Sequence, residues 1–215
     1  MRFVKLQVVL LLVGVVVLFG LGADVVLKNQ AETELARRIT AKVPQTNGVR
    51  ARIRSFPFVG RVLVSGQISQ VDVTAQHSAA GGVDLNDIVV RVEEVEMDTG
   101  AAMDGRVVVR SIKRGSVRAD LRQGEINRRL SRQVQVELQQ GSAAVSGPFG
   151  SEAKLTVSPE GVVQLRAGER TLLDLPLPKT ELLPCRPSAT FVTGAIRLTC
   201  EFSEIPDVLV DLAQR

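Results

Sequence analysis

Residues 49–76 decide the fold. They read Val49-Arg50-Ala51-Arg52-Ile53-Arg54, then Ser55-Phe56-Pro57-Phe58-Val59-Gly60-Arg61-Val62-Leu63-Val64-Ser65-Gly66, and close on Val71-Asp72-Val73-Thr74-Ala75-Gln76. The first and last pieces alternate apolar and polar residues. Successive strand side chains point to opposite faces, so this period of two marks half-buried strands. Arg50, Arg52 and Arg54 share the polar face of the first strand. Ser55-Phe56-Pro57-Phe58 interrupts it, and Val62 and Val64 begin another strand that Gly66 breaks.

The same period continues outward. After a loop at Gly81-Gly82, Ile88, Val90 and Val92 form a strand. Val95 and Met97 continue it with shifted parity, which predicts a β-bulge at Glu93-Glu94. Val107 and Val109 follow, then Val117, Ala119 and Leu121 against Ser116, Arg118 and Asp120. Further short strands are predicted over 134–139, 153–157, 162–166, 172–177 and 190–199, with a turn at Pro159-Glu160-Gly161.

Helical spacing appears in two places. Leu27, Ala31, Leu35 and Ile39 recur at i+4 within 24–43, ended by Pro44. Ile126, Leu130 and Val134 form a narrower stripe in a helix predicted over 121–133. Asp120-x-x-Gln123 resembles a capping box at its start, and Glu125 and Arg129 pair at i+4. A short helix is also expected over 206–215. The fold class is therefore α+β: two helices with eight to ten antiparallel strands, each with one wet face and one covered face. Two helices cover little of so much sheet. Either the sheet closes on itself, or it curves around the helices and leaves an apolar groove. The residues of such a groove are Phe56, Phe58, Val62, Val64, Val71, Val73, Ile88, Val90, Val92, Val107, Val109, Val117, Leu121, Ile126 and Leu130.

The N-terminus reads as an export signal. Arg2 and Lys5 precede an uncharged run from Val8 to Ala23 that ends at Asp24. Counted from Leu6 as a helix, it rises about 27 Å, close to the hydrocarbon thickness of about 30 Å. Residues 1–24 thus form a signal anchor or a cleaved signal peptide, and 25–215 a single domain. Positive charge stays inside, which directs the domain to the extracytoplasmic side of the inner (plasma) membrane. Cys185 and Cys200 suit that compartment and are expected to form a disulfide.

Composition excludes several functions. The 215 residues contain one His, two Cys, no Trp and no Tyr. A multi-histidine or four-cysteine metal site is impossible, and no metal or cofactor is expected. The net charge of +4, with Phe as the only aromatic type, gives neither the basic footprint nor the stacking platform of a nucleic-acid binder. Arg2 and Lys5 supply two of the 27 basic residues, so the rest nearly balances 23 acidic ones. G-x-S-x-G, H-E-x-x-H, Walker A and G-x-G-x-x-G motifs are all missing. Glu94, Glu96 and Asp98 share one strand face and read as a solvated acidic strip. His77 reads as an exposed loop histidine.

The basic residues cluster most tightly as Arg50, Arg52, Arg54 and Arg61 around Phe56-Pro57-Phe58. Arginine binds phosphate bidentately, so with two phenylalanines the set suits the rim of a site for an amphipathic anion. A solvated strand edge is the plain alternative. Arg110, Lys113, Arg114 and Arg118 form a second group.

Three features together resemble the LmeA-like phospholipid-binding family of actinobacterial cell-envelope proteins. They are the N-terminal apolar anchor, the stretch Arg54-Ser55-Phe56-Pro57-Phe58-Val59-Gly60-Arg61-Val62-Leu63-Val64-Ser65-Gly66, and the strand Gly115–Leu121 leading into Ile126–Leu130. Leu183-Pro184-Cys185 adds to the likeness. The resemblance implies a tubular lipid-binding architecture, with a curved antiparallel sheet wrapped over a helix. It also implies a non-enzymatic envelope protein that supports lipid or lipoglycan metabolism or transport. The expected partners are the membrane and an anionic phospholipid or phosphatidylinositol-type glycolipid, its head group held by Arg50, Arg52, Arg54 and Arg61. The rival readings are a scaffold with a closed core and an envelope lipid-modifying enzyme.

Overall fold

One helix, α1 (Arg2–Lys42), carries the chain from the apolar N-terminal stretch into the body of the fold without a break. The computed structural model describes residues 2–43, 45–80, 82–103, 108–147, 151–158, 161–177, 185 and 187–204. The side chains of 2–21, 80, 102, 103 and 151 lie outside the description. The expected signal anchor falls largely on those N-terminal side chains. Among the described residues no helix is long and apolar enough to cross a membrane. The helix expected over 206–215 and the groove position Val107 also lie outside the described residues.

After α1 come β1 (Thr46–Asn47), β2 (Arg50–Ile53), α2 (Phe58–Ser65), β3 (Gln67–Ala80), β4 (Val83–Met97), α3 (Thr99–Met103), β5 (Val109–Arg122) and α4 (Gln123–Arg129). Then follow β6 (Gln135–Gln139), β7 (Ser142–Ser146), β8 (Ser151–Val157), β9 (Val162–Ala167), β10 (Arg170–Pro176), β11 (Ser188–Val192) and β12 (Ala195–Phe202). They form two open antiparallel sheets. One has seven strands in the order β1-β3-β4-β5-β12-β11, with β2 also paired to β3; the other has the order β10-β9-β8-β7-β6. The α+β class expected from the alternation is what the chain adopts.

The second sheet supplies the cover that two helices could not. The large core joins Val117, Leu121, Ile196 and Leu198 from the first sheet to Val136, Leu138, Val163, Leu165 and Leu175 from the second, with Ile126 of α4 between them. In this core sheet packs on sheet, an arrangement beside the sheet wrapped over a helix that the resemblance implies. A smaller cluster, Ile53, Ile68, Val95 and Ile112, lies at the far end of the long strands, with Phe58 and Val62 of α2 and Ala31 of α1 packed on it. Phe202 packs against both clusters. Cys185 and Cys200 form the expected disulfide.

Four local expectations are corrected. The strand expected from Val62 is helix α2, because Phe58 and Val62, four residues apart, both pack on the smaller cluster. Gly66 ends it in the left-handed region, at φ 66, where a side chain would meet the Met97 carbonyl oxygen. The pairing runs unshifted past Glu93-Glu94 on both sides (Gln70↔Glu93, Ile68↔Val95; Glu93↔Arg114, Val95↔Ile112), so no bulge forms there. Glu94 instead takes φ 49, and the register shifts lie at Asn86/Val89 and Glu96/Met97. The second helix is shorter than 121–133, and no capping box forms. Asp120 accepts two hydrogen bonds from Arg197, both 2.8 Å, and the Gln123 side chain accepts one from the Leu138 N–H. The Glu125–Arg129 pair does form, at 2.9 Å. Finally, residues 190–199 belong to a hairpin, β11 and β12, turned at Gly194 with φ 75.

Candidate functional site

A cavity of about 650 Å³ lies where α1 meets the polar face of the seven-stranded sheet. Its walls carry Arg50, Arg52, Arg54 and Arg91 against only two carboxylates, Glu32 and Asp72. Register explains the gathering. Arg50, Thr74 and Val89 form one cross-strand row, and Arg52, Asp72 and Arg91 form the next. Rows two residues apart share a face. Val73 and Val90, with Ile53, Val71 and Val92, therefore lie on the opposite face, while Ala51 still reaches the cavity lining. The strand that brings the arginines together also separates them from Val71, Val73, Val90 and Val92, while Val49 and Val89 stay on the cavity side.

Helix α1 closes the side of the cavity with Glu32, Thr33 and Ala36. Glu32 accepts a 2.7 Å hydrogen bond from the Ile53 N–H. It thereby occupies an outward donor of edge strand β2, which would otherwise be open to pairing. Between β1 and β2 the chain turns at Gly48, with φ 67. Val49 follows it; the residue lines the cavity and packs against the large core.

Asp72 organises the floor. It is buried, accepts a 2.8 Å hydrogen bond from Arg91, and pairs with Arg54 at 2.9 Å. Burial alone would raise its pKa. Hydrogen bonds from Arg91 and Gln70, with the charges of Arg91 and Arg54, outweigh this and hold it below the ordinary carboxylate value. The hydrogen bond to Asp72 raises the Arg91 pKa in turn. Arg54 and Arg91 are thus committed to Asp72. The Arg50 and Arg52 side chains make no hydrogen bond or ion pair among the described residues. Two guanidinium groups with open donors beside a neutralised floor can take a phosphodiester or phosphomonoester bidentately.

The predicted head-group set is thereby divided. Arg50, Arg52 and Arg54 line this cavity, but Arg61 does not. Helix α2 carries Arg61 to a second cavity of about 480 Å³, where it hydrogen-bonds Ser69 near Glu94, Glu96 and Lys113. The predicted groove positions divide as well. Ile88, Val117, Leu121, Ile126 and Leu130 are sealed in the core between the sheets and face no open groove. Phe58, Val62, Val71, Val92 and Val109 are half-buried around the smaller cluster. Val73 and Val90 are half-buried, while Phe56 and Val64 are exposed.

Sequence reasoning missed Asp72 and Arg91 as a pair, along with the α1 wall. The pair was within reach. Asp72 lies nine residues before Gly81 and Arg91 nine after Gly82, so a hairpin turned there sets them opposite one another.

The acidic strip is matched residue by residue on β5. Lys113 bonds Glu94 at 2.6 Å, Ser111 bonds Glu96 at 2.7 Å, and Arg110 bonds Asp98 at 2.6 Å. Glu94 and Glu96 both line the second cavity, each bonded to a β5 side chain across the ladder. His77 lies within β3, 3.8 Å from Asp84, rather than in a loop. No group of His, Cys, Asp and Glu among the described residues could hold a metal ion.

Neither a curated protein nor a solved structure matches the chain. The family model described as LmeA-like phospholipid-binding matches residues 22–199, a span that includes α2, the whole of the arginine cavity and nearly all of both sheets. The chain belongs to the LmeA-like phospholipid-binding family.

Proposed function

We propose that this is an extracytoplasmic lipid-binding protein of the cell envelope, tethered by residues 1–24, whose domain over 25–215 takes the phosphate of an anionic phospholipid or phosphatidylinositol-type glycolipid into the cavity beneath α1. The observation that carries the reading is the pair Arg50 and Arg52, uncommitted on the wall of a cavity whose other arginines neutralise Asp72. Family membership supplies the phospholipid. Acyl chains leave the cavity past Val49 at the break between β1 and β2. They lie along the half-buried Val71, Val73, Val90 and Val92, each methylene adding about 0.8 kcal/mol on burial. Such a protein holds a lipid for metabolism or transport and performs no chemistry on it.

Native mass spectrometry of the chain extracted from its own envelope tests this. One phospholipid per chain is expected. Arg50→Gln with Arg52→Gln removes two charge-assisted contacts and should weaken retention of anionic lipid by at least about tenfold, with neutral lipid little affected. Equal retention by both proteins overturns the head-group assignment. A second reading, a scaffold with a closed core, draws on the burial of Ile88, Val117, Leu121, Ile126 and Leu130; it predicts a chain free of lipid in the same experiment.

A further inference from the structure

Helix α2 reads Phe58-Val59-Gly60-Arg61-Val62-Leu63-Val64-Ser65, and Arg61 is its only charge. A helix apolar around most of its circumference is normally buried. Yet none of its residues is buried, and only Phe58 and Val62 pack on the smaller cluster. Its outer side presents Leu63 and Val64, with Phe56 just before it; Val64 is 86% exposed and Phe56 69%. The other large apolar side chains exposed among the described residues are Val25, Val26 and Leu27 of α1. The two groups adjoin. Asp24, one residue before Val25, accepts hydrogen bonds from the Phe58 and Val59 N–H groups at 3.0 and 2.6 Å, which joins α1 to the first turn of α2. The six large apolar side chains exposed among the described residues therefore gather where α1 meets α2.

The geometry points to a lipid bilayer as the occupant of this face. We infer that α2, Phe56 and the 25–27 turn of α1 form a collar that rests in the interfacial layer of the membrane. Continuity selects the bilayer. The collar follows directly on α1 from residues 8–21, which carry no charge and no polar side chain, so it sits where that apolar helix leaves its surroundings. Lys28 follows Leu27 directly on α1 and the exposed Arg61 lies within α2, two cations that suit anionic head groups. The collar also sets the height of the cavity. Thr33 lies eight residues beyond Val25 on α1, a rise of about 12 Å, so a docked domain holds the arginine cavity just above the membrane surface. This inference rests on the proposed tether at residues 1–24, but not on the arginine site.

The chain contains no tryptophan, so a single introduced indole reports without background. Val64→Trp is placed in the full-length chain at a position too exposed to disturb packing, with Glu169→Trp, on an exposed turn of the second sheet, as the distant reporter. Both are reconstituted in vesicles of phosphatidylcholine with a minority of phosphatidylglycerol, with and without brominated acyl chains. Val64→Trp should emit to the blue and lose intensity to the brominated lipid, while Glu169→Trp stays water-like and unquenched. Adding Arg50→Gln and Arg52→Gln should leave the quenching intact, which keeps the collar distinct from the head-group site. A vesicle-bound chain whose Val64→Trp signal is unquenched overturns the collar. A concentration-dependent blue shift that brominated lipid does not quench does so in favour of a second copy of the chain. A chain that stays out of the vesicle fraction overturns it through the tether.

Discussion

Arg91 donates a 2.8 Å hydrogen bond to Asp72, the residue directly opposite it in the β3–β4 register, and only 8% of the Asp72 side chain reaches solvent. The pair forms the floor of the cavity, and its energetics carry a pH signature. The folded-state pKa of Asp72 is lowered. Its contribution to stability is therefore fully present above the ordinary aspartate value of about 3.9 and is lost as pH falls through the lower folded value. Asp72→Asn should cost about 1–3 kcal/mol at neutral pH and should flatten part of the acid limb of the stability curve. Urea melts of both proteins over a descending pH series check this; parallel curves would exclude Asp72 as the group responsible.

Gly115 sits on β5 opposite Phe202 of β12, and a Cβ there would lie 2.1 Å from the ring. Gly115→Ala must push the ring out of both apolar clusters and should cost about 1–3 kcal/mol. In the Phe202→Ala background the same change should cost far less. Thermal melts of the four proteins in the cycle measure that coupling.

Asp24 supplies α2 with a cap that no neighbouring side chain provides. Asp24→Ala should cost about 1–2 kcal/mol. Hydrogen exchange should rise at the Phe58 and Val59 amides first. Uniform acceleration across the molecule would show that the cap acts globally and not on α2.

The Cys185–Cys200 bridge closes a loop of sequence separation 15, worth about 3 kcal/mol in the chain-entropy description. Replacing both cysteines with serine should lower the melting temperature. Reductant should then shift the parent protein to the same temperature and leave the variant unmoved.

Ser55 holds the only buried side-chain oxygen without a hydrogen-bond partner among the described residues. Ser55→Ala should leave the lipid-free protein equally stable, or up to about 1 kcal/mol more stable, since an unsatisfied hydroxyl is a liability. Parallel lipid-retention measurements read its second consequence: a fall in retention identifies the hydroxyl as a lipid contact, and no change identifies it as packing alone.

Much of the sheet was legible because alternation is local. Val117, Ala119 and Leu121 are buried and Arg118 is exposed, as their spacing predicts. So was the joining of Arg50, Arg52 and Arg54, since strand parity alone puts them on one face. The segment 58–65 misled because Val62 and Val64 fit a period of two while Phe58 and Val62 fit a helical turn. Asp24, more than thirty residues earlier in the chain, favours the helix by taking up its first amide protons. Glu94 misled in another way. The parity shift it marks is absorbed by one residue at positive φ, and no extra residue enters the ladder.

By itself, the sequence determined the α+β class, the arginine-bearing strand that becomes β2, the disulfide partners, the family and the absence of histidine- or cysteine-rich metal chemistry. These follow from residue type and from spacing within one segment. Only the tertiary structure decided which valines are sealed and which arginines are free. Burial of Ile88 and Val117 depends on a second sheet that packs across the first. The openness of Arg50 and Arg52 depends on Arg54 and Arg91 having already claimed Asp72 from neighbouring strands. Both are matters of competition between groups distant in the chain, and spacing within a segment carries no record of who wins it.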